Sequence, residues 1–212
     1  RKEHFEKREQ KKRETLERIE QGEIQVRKRD GSLEWFNVHH IDAMLKAIVK
    51  GLGATDSVDM SEVVSSAKLN MYDCIPTHEI NTALVMALRA RGERDPLYSK
   101  TAAKMLLNNL YKDVLGKYEF EEGFHTLYTH SFEPQLRKGV ASLRLDPRLL
   151  MFDLKQLSEQ LDISRDNVFM YLGAQTLYDR YFLRDYEQRI LELPQYFWMR
   201  VAMGLAMNEK NR

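Results

Sequence analysis

The sequence predicts a mainly α chain of α+β type: a β-hairpin lying over four helices, then a second, mostly helical region. Three observations carry this. Two β-prone runs flank Asp30-Gly31, the strongest short hairpin signal a sequence offers. From residue 39 onward apolar residues recur at helical spacing, with Gly or Pro at the ends of the runs. Of the 212 residues, 43% are hydrophobic, enough to build a core in one or two domains.

The first 22 residues are mostly charged, and only Phe5, Leu16 and Ile19 among them are large and apolar. They read as a solvated helical lead-in or linker, in which each i,i+4 pair of opposite charge adds only about 0.2–0.5 kcal/mol. Residues 24–37, IQVRKRDGSLEWFN, form the hairpin. A two-residue loop pairs Arg29 with Ser32, Lys28 with Leu33, Val26 with Trp35 and Ile24 with Asn37. Ile24, Val26 and Lys28 then share one face. A lysine that ends an apolar face either snorkels at the sheet edge or holds an anion over the core.

Residues 39–53 place Ile41, Met44, Leu45, Ile48 and Leu52 on one helical stripe. Residues 58–72 give a second helix with Val63, Val64, Ala67 and Met71 inward. A short apolar piece, Cys74-Ile75, precedes Pro76-Thr77 and a third helix carrying Ile80, Ala83, Leu84, Ala87 and Leu88, closed by Gly92. Asp95 then caps a fourth helix, 96–115, with Pro96 at its first position and Gly116 at its end. The expected division is a lead-in over 1–22, the hairpin and four helices over 23–116, and a helical region over 117–212. In that region Leu154, Leu157 and Leu161 mark one helix, and Phe169, Leu172, Gln175, Thr176 and Tyr178 a longer one. Arg180–Leu183 and Gln188–Leu191 suggest a small hairpin, and Pro194 opens a helix to about Met207 with Phe197, Val201, Met203 and Leu205.

Lys+Arg number 33 and Asp+Glu 32, so the net charge of +1 argues against a dedicated nucleic-acid binder and against an acidic disordered tail. No apolar stretch approaches the ~18 residues that span a bilayer, and no secretory signal opens the chain. One cysteine, Cys74, excludes a disulfide framework, a cysteine zinc site and a dithiol mechanism within this chain. It reads as a small buried hydrophobe. A start on Arg1, and an apolar helix pattern running almost to Arg212, suggest a piece of a longer cytoplasmic protein.

Catalytic signatures are missing: there is no GxSxG, P-loop, HExxH or GxGxxG. The histidines, His4, His39, His40, His78, His125 and His130, form no ligand set, since adjacent His39 and His40 diverge on a helix. The Glu121-Glu122 pair has no acid–base context. We therefore expect no catalytic residue and no protein metal site. Anion recognition is better placed. Lys28 and Arg29 sit at a hairpin tip, Thr77 sits where a helix begins, and Lys112 lies late on the fourth helix.

The run V-R-K-R-D-G-S-L-E-W-F-N (Val26 to Asn37), followed by His40-Ile41, resembles the opening of an ATP-cone, the nucleotide-sensing module of ribonucleotide reductases. Y-D-C-I-P-T-x-E-I (Tyr72 to Ile80) continues the family frame, and D-P-L-Y-S-K-T-A-A-K-M-L-L-N-N-L-Y-K (Asp95 to Lys112) resembles its closing helix. Phe169 to Leu183 and Glu192 to Ala206 resemble the N-terminal helical domain of the class I large (alpha) subunit. The cone opening alone recurs in other proteins; joined to the second segment it is much more specific.

The resemblance implies a site for ATP or dATP, accompanied by Mg²⁺, under the hairpin lid. Val26, Ile41, Ile80 and Met71 would line the base pocket, and Glu34 and Asn37 would face the adenosine. Lys28, Arg29, Thr77 and Lys112 would hold the phosphates. His40 stands where some relatives have lysine and Asn81 where some have histidine, both at the sugar–phosphate region, so these two positions bear on discrimination between ATP and dATP. The full family enzyme reduces ribonucleotides to deoxyribonucleotides for DNA synthesis, pairs with a small radical-generating subunit, and self-associates through its large subunits. Its reactive cysteines lie in a barrel that this sequence does not include, and Cys74 matches none of them. Two other readings follow from the same residues: a degenerate cone serving as a packing or oligomerisation surface, and the cone of a nucleotide-responsive repressor. A single cysteine argues against the zinc ribbon that the latter carries.

Overall fold

A computed structural model describes residues 10, 13–53 and 60–209. The chain divides into two compact units, Arg1–Met105 and Leu106–Arg212. Phe5, His4 and most of the charged lead-in lie outside the described residues, as do the first two positions expected in the second helix.

In the first unit, residues 13–20 are helical (α1), and Ile19 is its buried anchor. A three-stranded sheet follows in the order β2-β1-β3: β1 (Gln25–Arg27), β2 (Leu33–Trp35) and β3 (Ile75–Pro76). β2 is antiparallel to β1, and β3 is parallel to it. The hairpin forms where expected but in a different register. Gln25 faces Trp35, Val26 faces Glu34 and Arg27 faces Leu33, one residue away from the two-residue-loop alignment. The loop has three residues because Gly31 adopts a left-handed conformation, φ +86°, and donates to the Lys28 carbonyl at 3.1 Å. The Asp30 carboxylate seals the turn, accepting from the Ser32 amide at 2.9 Å and its hydroxyl at 2.6 Å.

Cys74-Ile75 leads into the parallel strand. The Asp73 carboxylate accepts from the Gln25 amide at 2.9 Å, and Cys74 N–H donates to the Gln25 carbonyl at 2.9 Å. Cys74 itself takes φ +60° and is only half-buried, which corrects its expected place as a core hydrophobe. Its backbone is bent to bring Ile75 beside Val26, so its side chain does not reach the core.

Helix α2 (Val38–Gly51) buries Ile41, Leu45 and Ile48, and Asn37 caps it by accepting from His39 N–H at 2.9 Å. Helix α3 (Ser61–Lys68) is shorter than the expected 58–72, and Met71 is buried just beyond its end. α4 (Thr77–Arg89) packs on α3, and Arg91 ties them by donating to Ser66 Oγ at 2.7 Å and the Glu62 carbonyl at 3.1 Å. α5 (Pro96–Leu115) starts on an Asp95 cap and stops at Gly116, φ +78°, as expected. The division between the units falls inside this helix.

The second unit holds α6 (Phe124–His130), α7 (Phe132–Ala141), α8 (Leu154–Glu159), α9 (Tyr171–Arg180) and α10 (Pro194–Ala206), with 3-10 turns at Pro147–Met151 and Ile163–Val168. Its core is aromatic: the Tyr111 ring lies 5.3 Å from Phe124 and 5.9 Å from Tyr128, and Tyr196 lies 5.2 Å from Tyr128 and 5.4 Å from Phe132. Three details differ from expectation. α8 stops at Glu159, so Leu161 lies beyond it. Phe169 precedes α9, and Arg180 ends that helix, so the small hairpin shrinks to one bridge, Arg184 with Ile190.

Candidate functional site

The sheet has two unlike faces. Val26 is buried with Ile75 beside it, and Phe36 is buried on the continuation of β2, while Leu33 and Trp35 are 50% and 66% exposed on the opposite face. The observed register places Glu34 across from Val26, hence on the buried side with Lys28. There Lys28 Nζ lies 2.8 Å from Glu34 Oε2, with the two side chains 42% and 53% exposed. An exposed pair of this kind contributes about 0–1 kcal/mol, so either partner is readily released to a better one. Arg29 and the Asp30 turn form the tip. The Ser32 hydroxyl and amide hold the Asp30 carboxyl below its ordinary value, so the turn stays charged and closed.

The first unit buries apolar side chains from three further places. Ile41 on α2, Met71 after α3 and Ile80 on α4 are all buried. Ile75, from the short apolar piece before Pro76, is a fourth. β3 then runs directly into α4. Pro76 stands at the cap position and supplies no side-chain acceptor, so the first amide groups of α4, at Thr77 and beyond, have no cap from it. Such a terminus favours an anion. Thr77 is half-buried there, and Asn81, one turn further on, is 6% exposed. His78 and His40 point to solvent. Glu79, an acid in the same first turn, is held by the Tyr72 hydroxyl at 2.8 Å, and that bond raises the tyrosine's pKa.

Two expected contacts have other duties. Asn37 spends its side-chain oxygen on the cap of α2. Lys112 lies in the second unit, with Nζ 3.1 Å from Glu121 Oε1 and 4.8 Å from the centre of the Tyr118 ring. Glu121 also accepts from the Tyr118 amide at 2.9 Å; that bond and the nearby Lys112 ammonium keep its carboxyl low. Among the described residues no group of three or more His, Cys, Asp or Glu side chains could hold a metal ion, and no helix is long and apolar enough to cross a membrane.

The family model described as ATP cone domain matches residues 24–113, and the model described as ribonucleotide reductase, all-alpha domain, matches residues 167–212. The chain is similar to the ribonucleoside-diphosphate reductase subunit alpha of Chlamydia pneumoniae, 42% identical over 153 residues, which are 72% of this chain and 14% of that protein. Against the same subunit of Chlamydia trachomatis serovar D it is 36% identical over 199 residues, 93% of this chain and 19% of the relative. Against that of Helicobacter pylori strain 26695 it is 35% identical over 188 residues, 88% of this chain and 22% of the relative. The chain thus spans less than a quarter of the length of these curated relatives.

Proposed function

The chain belongs to the family of ribonucleotide reductase large subunits, carrying an ATP cone and part of the all-alpha domain, and on that premise we propose that its first unit senses ATP and dATP. The carrying observation is the arrangement around Lys28. A cation on the buried side of the sheet, paired with an exposed acid, stands in the same unit as an α4 terminus that its cap residue leaves open.

Adenine lies against Val26, Ile41, Ile80 and Met71. A triphosphate draws Lys28 away from Glu34 and engages Arg29, Thr77 and the first amides of α4. Glu34, once released, and Asn37, with its amide nitrogen, face the adenosine. His40 and Asn81 stand toward the sugar and phosphates, where the two nucleotides differ by a single hydroxyl. Mg²⁺ rides on the phosphate oxygens, its charge matched by the nucleotide.

In the complete protein this sensing regulates reduction of ribonucleoside diphosphates to deoxyribonucleotides in the cytoplasm, together with a small radical-generating subunit. ATP favours the active arrangement, and dATP favours an inactive assembly of large subunits. A nucleotide can shift that balance only by its difference in affinity for the two states. The chain described here carries no reducing cysteine pair and does not catalyse. A second reading, a cone that has become a packing surface, draws on the existing partners of Lys112.

Calorimetric titration with ATP and dATP, each with Mg²⁺, tests the proposal against Lys28→Ala and Thr77→Ala. Saturable binding that both variants weaken supports it. A folded chain that stays silent at millimolar nucleotide favours the packing surface.

A further inference from the structure

The second unit contains a carboxylate that nucleotide binding does not use. Asp166 is 1% exposed. It accepts from the Tyr111 hydroxyl at 2.7 Å, the Tyr128 hydroxyl at 3.2 Å and the Gln195 side-chain amide at 2.8 Å. Tyr128 is fixed in turn: the Gln195 amide N–H donates to its hydroxyl at 3.4 Å, and the Tyr196 hydroxyl donates to its backbone carbonyl. These donors come from α5, α6 and α10, so one acid in a 3-10 turn ties three helices. Burial, with the nearby Asp166 charge, raises the Tyr111 and Tyr128 pKa values well above the ordinary value, so both remain donors. A buried charge left with fewer donors is costly, which makes the cluster close or open as one.

Tyr111 gives the cluster its reach. It sits in the last turns of α5, a continuous 20-residue helix whose earlier turns belong to the first unit. The match to the ATP cone runs to residue 113, so the helix that closes the cone is the one Asp166 grips. Rigid secondary elements carry coupling between sites, and a packed cluster gives way in steps rather than by gradual deformation.

We propose that the Asp166–Tyr111 bond is a coupling device: it makes α5 report the nucleotide state of the cone to α6 and α10. This rests on the nucleotide-sensing reading above.

Hydrogen exchange read by mass spectrometry on the chain, with and without ATP and Mg²⁺, tests it in wild type, Tyr111→Phe, Asp166→Asn and the double variant. In wild type, ATP should slow exchange in residues 24–41 and 77–89, and also in 124–130 and 194–206 by about fivefold, the low end of ordinary coupling between sites. Tyr111→Phe should keep the cone response and lose the distant one, and the double variant should lose no more than either single. A wild-type response confined to the cone, or a distant response that survives Tyr111→Phe, overturns the proposal. If ATP protects nothing, the sensing reading fails, and the nucleotide-free arm decides the coupling. There Asp166→Asn should quicken exchange by about tenfold in residues 96–105 as well as 106–115. Faster exchange confined to 106–115 and beyond overturns it. Asp166→Asn is close to isosteric, and Tyr111→Phe serves should the former fail to fold.

Discussion

Lys28 and Glu34 form a diagonal pair across the hairpin, 2.8 Å apart, on the buried side of the sheet beside Val26. The pair exists because the loop has three residues; a two-residue loop would place Lys28 opposite Leu33.

Lys28→Ala should therefore separate binding from folding. An exposed pair contributes about 0–1 kcal/mol to stability, so the denaturation midpoint should barely move. Nucleotide affinity should fall by about tenfold or more, the loss of one charge-assisted bond to phosphate. Calorimetry and a urea melt on one preparation check both.

Asn37 should show the opposite mixture. Its side chain caps α2, so Asn37→Ala should cost about 1 kcal/mol of stability as well as affinity. Asn37→Asp keeps a capping oxygen and should keep the stability, yet it loses the amide nitrogen and adds a charge near the nucleotide. Thermal melts beside nucleotide titrations distinguish the two variants.

A side chain at Gly139 on α7 would have to displace two leucine side chains. A Cβ there would lie 2.7 Å from Leu145 Cδ1 and 2.8 Å from Leu183 Cδ2. Gly139→Ala should destabilise the chain by about 1–3 kcal/mol, the usual cost of overpacking. A urea titration reads it, and nucleotide affinity, proposed above for the first unit, should be unchanged.

Stability should fall on both sides of neutrality. Tyr111 and Tyr128 have pKa values raised by burial, so their contribution is complete below the unfolded tyrosine value of 10.0 and is lost as pH climbs beyond it. Asp73, held low first by the Gln25 amide, and Asp185, held low first by Arg189, contribute above the unfolded carboxyl value of 3.8 and lose that contribution as pH falls through their folded values. Urea midpoints between pH 3 and pH 11 should trace a plateau with losses at each end. Asp166→Asn should soften the alkaline loss, since the Asp166 charge helps to raise both tyrosine pKa values.

Much of the first unit was legible because it obeys short-range rules. The helix bounds at Pro96–Leu115 follow from a cap, a proline and a glycine within the sequence itself. The hairpin was legible in position, but its register depends on whether Gly31 turns left-handed and whether Asp30 bonds Ser32, which composition does not decide. β3 has two residues and no period; a bond between Gln25 and Asp73, 48 positions apart, creates it. α6 and α7 were not placed, since short helices meeting at Ser131 blur into one pattern. The side chains proposed for the base pocket came from family likeness, because each alone reads as ordinary core. Asp166 was missed for the converse reason: an acid in a polar turn reads as surface until Tyr111 and Gln195 arrive from distant parts of the chain.

The late arrival of β3 sets a timetable for a ribosome making this chain. Between emergence of β1 and emergence of Asp73, which docks on it from 48 residues away, one edge of β1 has no strand to pair with. At about 5–20 residues per second that interval lasts roughly 2–10 s. During it the nascent hairpin presents a bare edge together with the outward Leu33 and Trp35, the combination to which passing strands and chaperones attach. Synonymous codon changes that slow translation between Gly53 and Asp73 should lengthen this exposure and increase aggregation, with no amino acid altered.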